Sequence, residues 1–328
     1  MSAPAEAAEL AAAILEGRPR ALPRGLTWIE SGGDRAEALV EILYPHTRAA
    51  HVVGVTGASG AGKSTLVTAL AKEARKRGIR VAILAVDPSS PYTGGAILGD
   101  RIRMRELSGD PGVFIRSMAT RGALGGLARA AADGVDLLCA AGFPLVIVET
   151  VGVGQDEVDI MRLAHSTIVV SVPGMGDDIQ ALKAGIMEIA DIHVVNKADR
   201  DGAERTINEL RAILAMQMVP EGGWEIPVIP TVATKGEGAS KLLDQLDAHF
   251  AHLKKTGELE TRLRRIAEAR VAKLAQELVA DAIRHPLQGA NDPILADLTR
   301  VARRELSPHR CARTVLGRTT ASLTDGSH

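Results

Sequence analysis

Three groups of residues in this chain have the types and spacing for nucleotide chemistry. The first is Gly57-Ala58-Ser59-Gly60-Ala61-Gly62-Lys63-Ser64, which satisfies the Walker A pattern and is followed by Thr65. Its glycines permit the positive φ angles that turn successive backbone N–H groups toward one point. A helix beginning behind them adds its dipole, so the segment suits the oxygens of a phosphate chain. Lys63 is expected to reach the β and γ phosphates, and the Ser64 hydroxyl to ligate Mg²⁺, whose octahedral shell takes oxygens and water. A Gly-rich turn serving only as a turn would leave Lys63 unexplained.

The second group is a set of carboxylates at the ends of apolar runs, where a parallel sheet gathers its ligands. Asp87 follows the run Arg80 to Val86, and Glu149 opens Glu149-Thr150-Val151-Gly152-Val153-Gly154-Gln155. Glu149 is expected to hold a metal-bound water and Gly152 to offer its N–H to the γ-phosphate, so that loss of that phosphate frees the loop. The plainer reading of both acids is helix N-capping. Asp100 lies in the Gly-containing stretch Leu98 to Met104 and is expected to approach the metal once a triphosphate is bound. Beside it, Arg101 and Arg103 are either internal arginine fingers or solvated side chains. Small GTPases often place a water-positioning Gln directly after the γ-phosphate glycine, whereas here Val153 follows Gly152 and Gln155 comes two residues later. With Lys63, Glu149, Asp100 and Gln155 as the catalytic set, the expectation is a slow intrinsic rate that a partner raises by ordering the loops.

The third group, Asn196-Lys197-Ala198-Asp199, fits the Asn-Lys-x-Asp signature of guanine selection and follows a β-branched run. A carboxylate at Asp199 accepts from both guanine N1–H and the N2 amine, a donor pair that adenine lacks. Losing such a pair and stranding the carboxylate discriminates by on the order of 10³. Asn196 is expected to buttress the loop, Lys197 to lay its stem over the base, and Ala233, followed by Thr234, to offer its N–H to guanine O6.

Positioning these groups calls for an α/β fold. Apolar runs at Val52–Thr56, Arg80–Val86, Val113–Arg116, Leu145–Glu149, Thr167–Val172, Ile192–Asn196 and Pro227–Thr231 read as strands buried on both faces. Helices are predicted over Lys63–Arg77, Leu124–Ala141, Ala203–Met218 and Ala239–Leu253. The result is a P-loop NTPase fold, a mostly parallel sheet flanked by helices, over residues 51–255. An N-terminal helical region (1–50) precedes it and a C-terminal helical segment (256–328) follows it. In that segment Leu259, Leu263, Ile266, Leu274 and Leu278 recur at helical spacing, with Arg262, Arg264, Arg265 and Lys273 on other faces. The apolar stripe covers either the nucleotide domain or a second copy of the chain.

Composition narrows the function classes. Lys plus Arg number 39 against 40 Asp plus Glu, so no overall field favours nucleic acid or an anionic membrane. Cys139 and Cys311 are too few for a disulfide framework or a zinc ligand set and fit a reducing compartment. Ala7 to Leu15 is interrupted by Glu9 and preceded by no Lys or Arg, unlike a signal peptide, and no apolar run approaches the ~18 residues needed to span a bilayer. A cytoplasmic protein is expected.

Beyond the generic motifs, Val86-Asp87-Pro88-Ser89-Ser90, Gly94 to Arg101, Glu149 to Gln155, Pro173-Gly174-Met175-Gly176-Asp177-Asp178 and Arg116 to Gly122 closely resemble the MeaB/ArgK/MMAA family of P-loop GTPases. That resemblance runs through most of the chain. It implies a GTPase chaperone that gates cofactor loading, protection or reactivation of an adenosylcobalamin-dependent acyl-CoA mutase, with an adenosyltransferase as a further partner. It also implies Asp87, Asp100 and Glu149 as magnesium and switch carboxylates, Pro173 to Lys183 as a third switch, and a C-terminal homodimerisation arm. Two alternatives stand beside it. A nickel-insertion GTPase would need Cys or His ligands near the switch loops, which the two cysteines and scattered histidines do not supply. A GTP-dependent kinase linked to amino-acid transport would pass the γ-phosphate to a protein.

Overall fold

The computed structural model describes residues 2–87, 105–107, 109–119, 126–150, 162–174, 189–216, 220, 222–288 and 293–325. All seven anticipated strands form: β1 His51–Gly57, β2 Val81–Asp87, β3 Val113–Ala119, β4 Leu145–Thr150, β5 Ser166–Ser171, β6 Ile192–Asn196 and β7 Val228–Thr231. They make one sheet in the order β3-β2-β4-β1-β5-β6-β7, and every neighbouring pair is parallel. Successive side chains on a strand point to opposite faces, so the continuous apolar runs oblige helices to cover both.

On one face, Val52, Leu84, Val86, Val146 and Val148 share a core with α1 (Ala3–Leu15), α2 (Ala21–Ser31), α3 (Asp34–Leu43) and α5 (Gly126–Ala140). In α1 the buried residues Ala7, Leu10, Ala11 and Ile14 keep the spacing of a single helical stripe, which is why this segment docks instead of standing apart. The other face joins Val53, Val55, Ile83, Ile147, Ile168 and Val194 to α4 (Lys63–Lys76) and α7 (Ala239–Thr256). A smaller cluster sets Val169 and Val195 against Ile207 and Leu210 of α6 (Ala203–Ala215).

Two compact units result, Met1–Leu263 and Arg264–His328. The first of these holds the N-terminal helices together with the sheet. Helix α8 (Glu258–Gln288) begins in the first unit. In the second unit, α9 (Pro293–Ala302) and α10 (Pro308–Asp325) pack through Cys311 and Val315 against Val301 and Leu306. Along α8, Leu263, Val271 and Leu278 are 46%, 65% and 60% exposed, an apolar stripe left uncovered among the described residues. Among the described residues no helix is long and apolar enough to cross a membrane.

Candidate functional site

The C-terminal ends of β1, β4 and β6 bring the three motif groups together. β1 closes at Gly57 and the loop Ala58–Gly62 runs into α4, whose first intrahelical bond is Leu66 N–H to the Gly62 carbonyl at 2.9 Å. The N–H groups of Lys63, Ser64 and Thr65 lie ahead of that bond, at the positive end of the helix dipole. Two glycines are required by contact as well as by conformation. Gly57 has φ 138°, and a Cβ there would overlap the Val170 carbonyl of β5. Gly62 has φ 88°, and a Cβ would sit 2.5 Å from Asn196 Nδ2. The tight turn is completed by Ala61 N–H donating to the Ala58 carbonyl at 3.1 Å.

Lys63, almost buried, donates from Nζ to the Gly57 carbonyl at 2.7 Å and the Ala58 carbonyl at 3.2 Å. Its ammonium thus lies within the loop it is expected to serve. The Ser64 hydroxyl donates to Glu149 Oε1 at 2.5 Å, and Glu149 is 1% exposed at the end of β4, in register with Val55 of β1. A hydroxyl and a buried carboxylate side by side form a hard, all-oxygen donor pair, the chemistry Mg²⁺ takes. Asp87 ends β2 opposite Ala119, at the same end of the sheet as Glu149. Asp100, Arg101, Arg103, Gly152, Gln155 and the segment Met175 to Lys183 lie outside the described residues.

The base motif is tied directly to the phosphate loop. Asn196, 2% exposed, donates from Nδ2 to the Ala61 carbonyl at 2.9 Å, and its Oδ1 accepts from Thr231 Oγ1 and from Ala233 N–H, both at 3.1 Å. Lys197 takes the left-handed conformation, φ 56°, and donates from Nζ to the Gly60 carbonyl at 2.7 Å. One side chain thus spans both loops, and its neighbour adds a second strut. The Ala233 N–H expected to meet guanine O6 donates in this structure to Asn196. Thr234 beside it is exposed, as are Asp199 and Lys235, which form an ion pair at 3.6 Å. Thr231 and Lys235 were not among the expected site residues; their only sequence signal was their place on either side of Ala233, at the end of β7 and in the turn that follows.

Comparison with known proteins adds to this geometry. The family model described as Methylmalonyl Co-A mutase-associated GTPase MeaB matches residues 22–288. A putative GTPase of Pyrococcus abyssi is 45% identical over 311 residues, covering 94% of this chain and 95% of that protein. The mouse protein named Methylmalonic aciduria type A homolog, mitochondrial, is 31% identical over 321 residues, covering 92% of this chain and 77% of its own length. A crystal structure described as LAO/AO transport system kinase superposes with a TM-score of 0.69 at 25% identity, covering 98% of both chains.

Proposed function

The chain belongs to the MeaB family of GTPases, and from that premise we propose that it binds GTP with Mg²⁺ and hydrolyses it slowly unless a partner orders its loops. We further propose that it uses this cycle to gate cofactor loading, protection or reactivation of an adenosylcobalamin-dependent acyl-CoA mutase. The observation that carries the guanine-nucleotide reading is the Asn196 cross-link. A single buried amide holds the phosphate loop at Ala61 and the base loop at Thr231 and Ala233.

In this reading the N–H groups of the loop and of the first turn of α4 bind the phosphate oxygens, and Lys63 exchanges its bonds to the Gly57 and Ala58 carbonyls for the β and γ phosphates. Ser64 and Glu149 would hold Mg²⁺ directly or through water, with Asp87 and Asp100 as the further carboxylates. The ion, when bound, neutralises charge on the transferring phosphoryl group. Asp199 reads guanine N1–H and the N2 amine, leaving Lys235 for that task, while Lys197 flanks the base. Gly152 and Gln155 supply the γ-phosphate contact and the water-positioning group.

The family description supports the mutase as partner, and an adenosyltransferase belongs to the same proposal. The exposed stripe Leu263, Val271 and Leu278 supports a homodimer formed through the C-terminal helices, in a cytoplasmic protein. The test is GTP turnover by the purified chain alone and with candidate acyl-CoA mutases in cofactor-free and cofactor-loaded forms. A rise with one mutase is the expected result. Turnover indifferent to every mutase refutes the chaperone role, and calorimetry in which ATP titrates while GDP and GTP give no heat refutes the nucleotide assignment.

A further inference from the structure

At the end of the sheet opposite the nucleotide motifs, a buried polar network joins the starts of three strands. His51 begins β1, Ser166 begins β5, and Asp191 immediately precedes β6. Ser166 Oγ lies 2.7 Å from His51 Nε2 and 2.7 Å from His249 Nδ1, and His249 Nε2 lies 3.3 Å from Asp191 Oδ1. The donor order follows from the acid. A carboxylate only accepts, so His249 Nε2–H donates to Asp191, and the Ser166 hydroxyl bridges His249 Nδ1 and His51 Nε2. Ser166, His249 and Asp191 have the connectivity of a nucleophilic triad, yet Ser166 is 0% exposed and its oxygen is already engaged by His51. No carbonyl substrate can reach it, and the network serves the fold.

Its closing member is Arg262, from the first turns of α8. Arg262 Nη1 and Nη2 donate to the two carboxylate oxygens of Asp191 at 2.7 and 2.9 Å, and Nη1 also donates to the His165 carbonyl at 2.7 Å. Asp191 further accepts Thr167 N–H of β5 at 2.8 Å on its side chain and Trp224 Nε1–H at 2.8 Å on its carbonyl. The fork is openable. Arg262 is 31% exposed, and a cavity of about 1110 Å³ bordered by Trp224, His249, Asp191 and Glu258 lies against it.

Two of these strands end in the nucleotide motifs, β1 at Gly57 and β6 at Asn196, and β5 lies between them in the sheet. Strands of five to seven residues packed in parallel register behave as rigid rods, so a shift at their starts is felt at their ends. We propose that Arg262 is a positioning residue for the nucleotide site, clamping the root of α8 to these strand starts and so coupling a pull on that helix to nucleotide retention. The inference rests on the guanine-nucleotide reading above and adds the element that regulates it.

The experiment measures release of mant-GDP and GTP turnover by the full chain, as wild type, Arg262→Lys, Arg262→Met and the charge-balanced double variant Asp191→Asn/Arg262→Met. The double variant leaves no buried carboxylate without its cation, so it remains informative where Arg262→Met alone fails to fold. Release is expected to accelerate about 5-fold or more in the double variant while kcat at saturating GTP moves less than about twofold, with Arg262→Lys in between because an ammonium cannot fork. A double variant that melts near the wild type and releases mant-GDP at the wild-type rate overturns the inference. Wild-type protein that binds no mant-GDP overturns the nucleotide reading itself, a distinct result.

Discussion

Replacing Asn196 by alanine removes a buried side chain that holds both loops, and its cost can be worked from the contacts. Three hydrogen bonds vanish, to Ala61, Thr231 and Ala233, at a site 2% exposed. Each is worth about 1 kcal/mol net, and a buried partner left without a bond costs about 1 to 3 kcal/mol. Thr231 is 1% and Ala233 8% exposed, so both are at risk of being stranded. The total comes to about 3 to 5 kcal/mol. Where it appears depends on whether the loops relax. If they stay in place, urea unfolding of the nucleotide-free protein bears the loss. If they drift apart, GDP binding must reassemble them, and about 3 kcal/mol of that cost weakens the affinity on the order of 10²-fold. Urea unfolding and calorimetric GDP titration of Asn196→Ala together should recover the whole. The reasoning is refuted if both the unfolding free energy and the GDP affinity stay within about 1 kcal/mol of wild type.

Three further outcomes follow from the same coordinates. Asp199→Asn turns an acceptor into an amide donor and should shift preference toward xanthine nucleotides, whose C2 carries an oxygen; competition binding in which the variant still prefers GTP over XTP would contradict the base-site assignment. Ser64→Ala takes away the hydroxyl bonded to Glu149 and should abolish the gain in nucleotide affinity that Mg²⁺ gives, read as calorimetric titrations with and without EDTA that coincide. Burial lowers His51 to about 3, and His165 and His193 to about 4, from 6.5, so these rings are neutral in the fold and take up protons on unfolding. Their contribution is complete above pH 6.5 and falls by about 1.4 kcal/mol per pH unit for each ring as the pH drops toward 4. The urea midpoint should therefore decline steadily between pH 6.5 and pH 5, and more shallowly in His193→Leu, whose lowering comes from burial alone; a flat midpoint argues against the burial of these rings.

The sheet was legible because its strands are apolar on both faces, so six of the seven runs marked their own limits to within one residue; the third, expected over Val113–Arg116, continues three residues further to Ala119. Partners were less so. Periodicity identified a helical region before Tyr44 but said nothing of what its stripe would meet, and Leu10, Ile14, Leu26 and Leu39 turn out to share one core with Leu84 and Val148. A helix stripe states that a surface is needed without stating which surface.

The site divides along the same line. Lys63, Ser64 and Glu149 stood out as candidates because such chemistry is carried by side-chain type at a given spacing, and the structure sets Ser64 beside Glu149. Backbone donors carry no such mark: that the Ala233 N–H meets Asn196 Oδ1 could not be read from residue types. Arg262 misled for a related reason. On a helical wheel it belongs to the polar face, and a polar face is normally solvated, yet this guanidinium meets a carboxylate from the start of β6. Burial opposes ionisation of Asp191, but the hydrogen bonds from His249 and Arg262 win and hold its carboxyl below the usual range, so the pair stays charged at neutral pH. An ion pair between the root of a helix and the start of a distant strand leaves no local periodicity. It is visible only once the sheet has fixed where each strand begins.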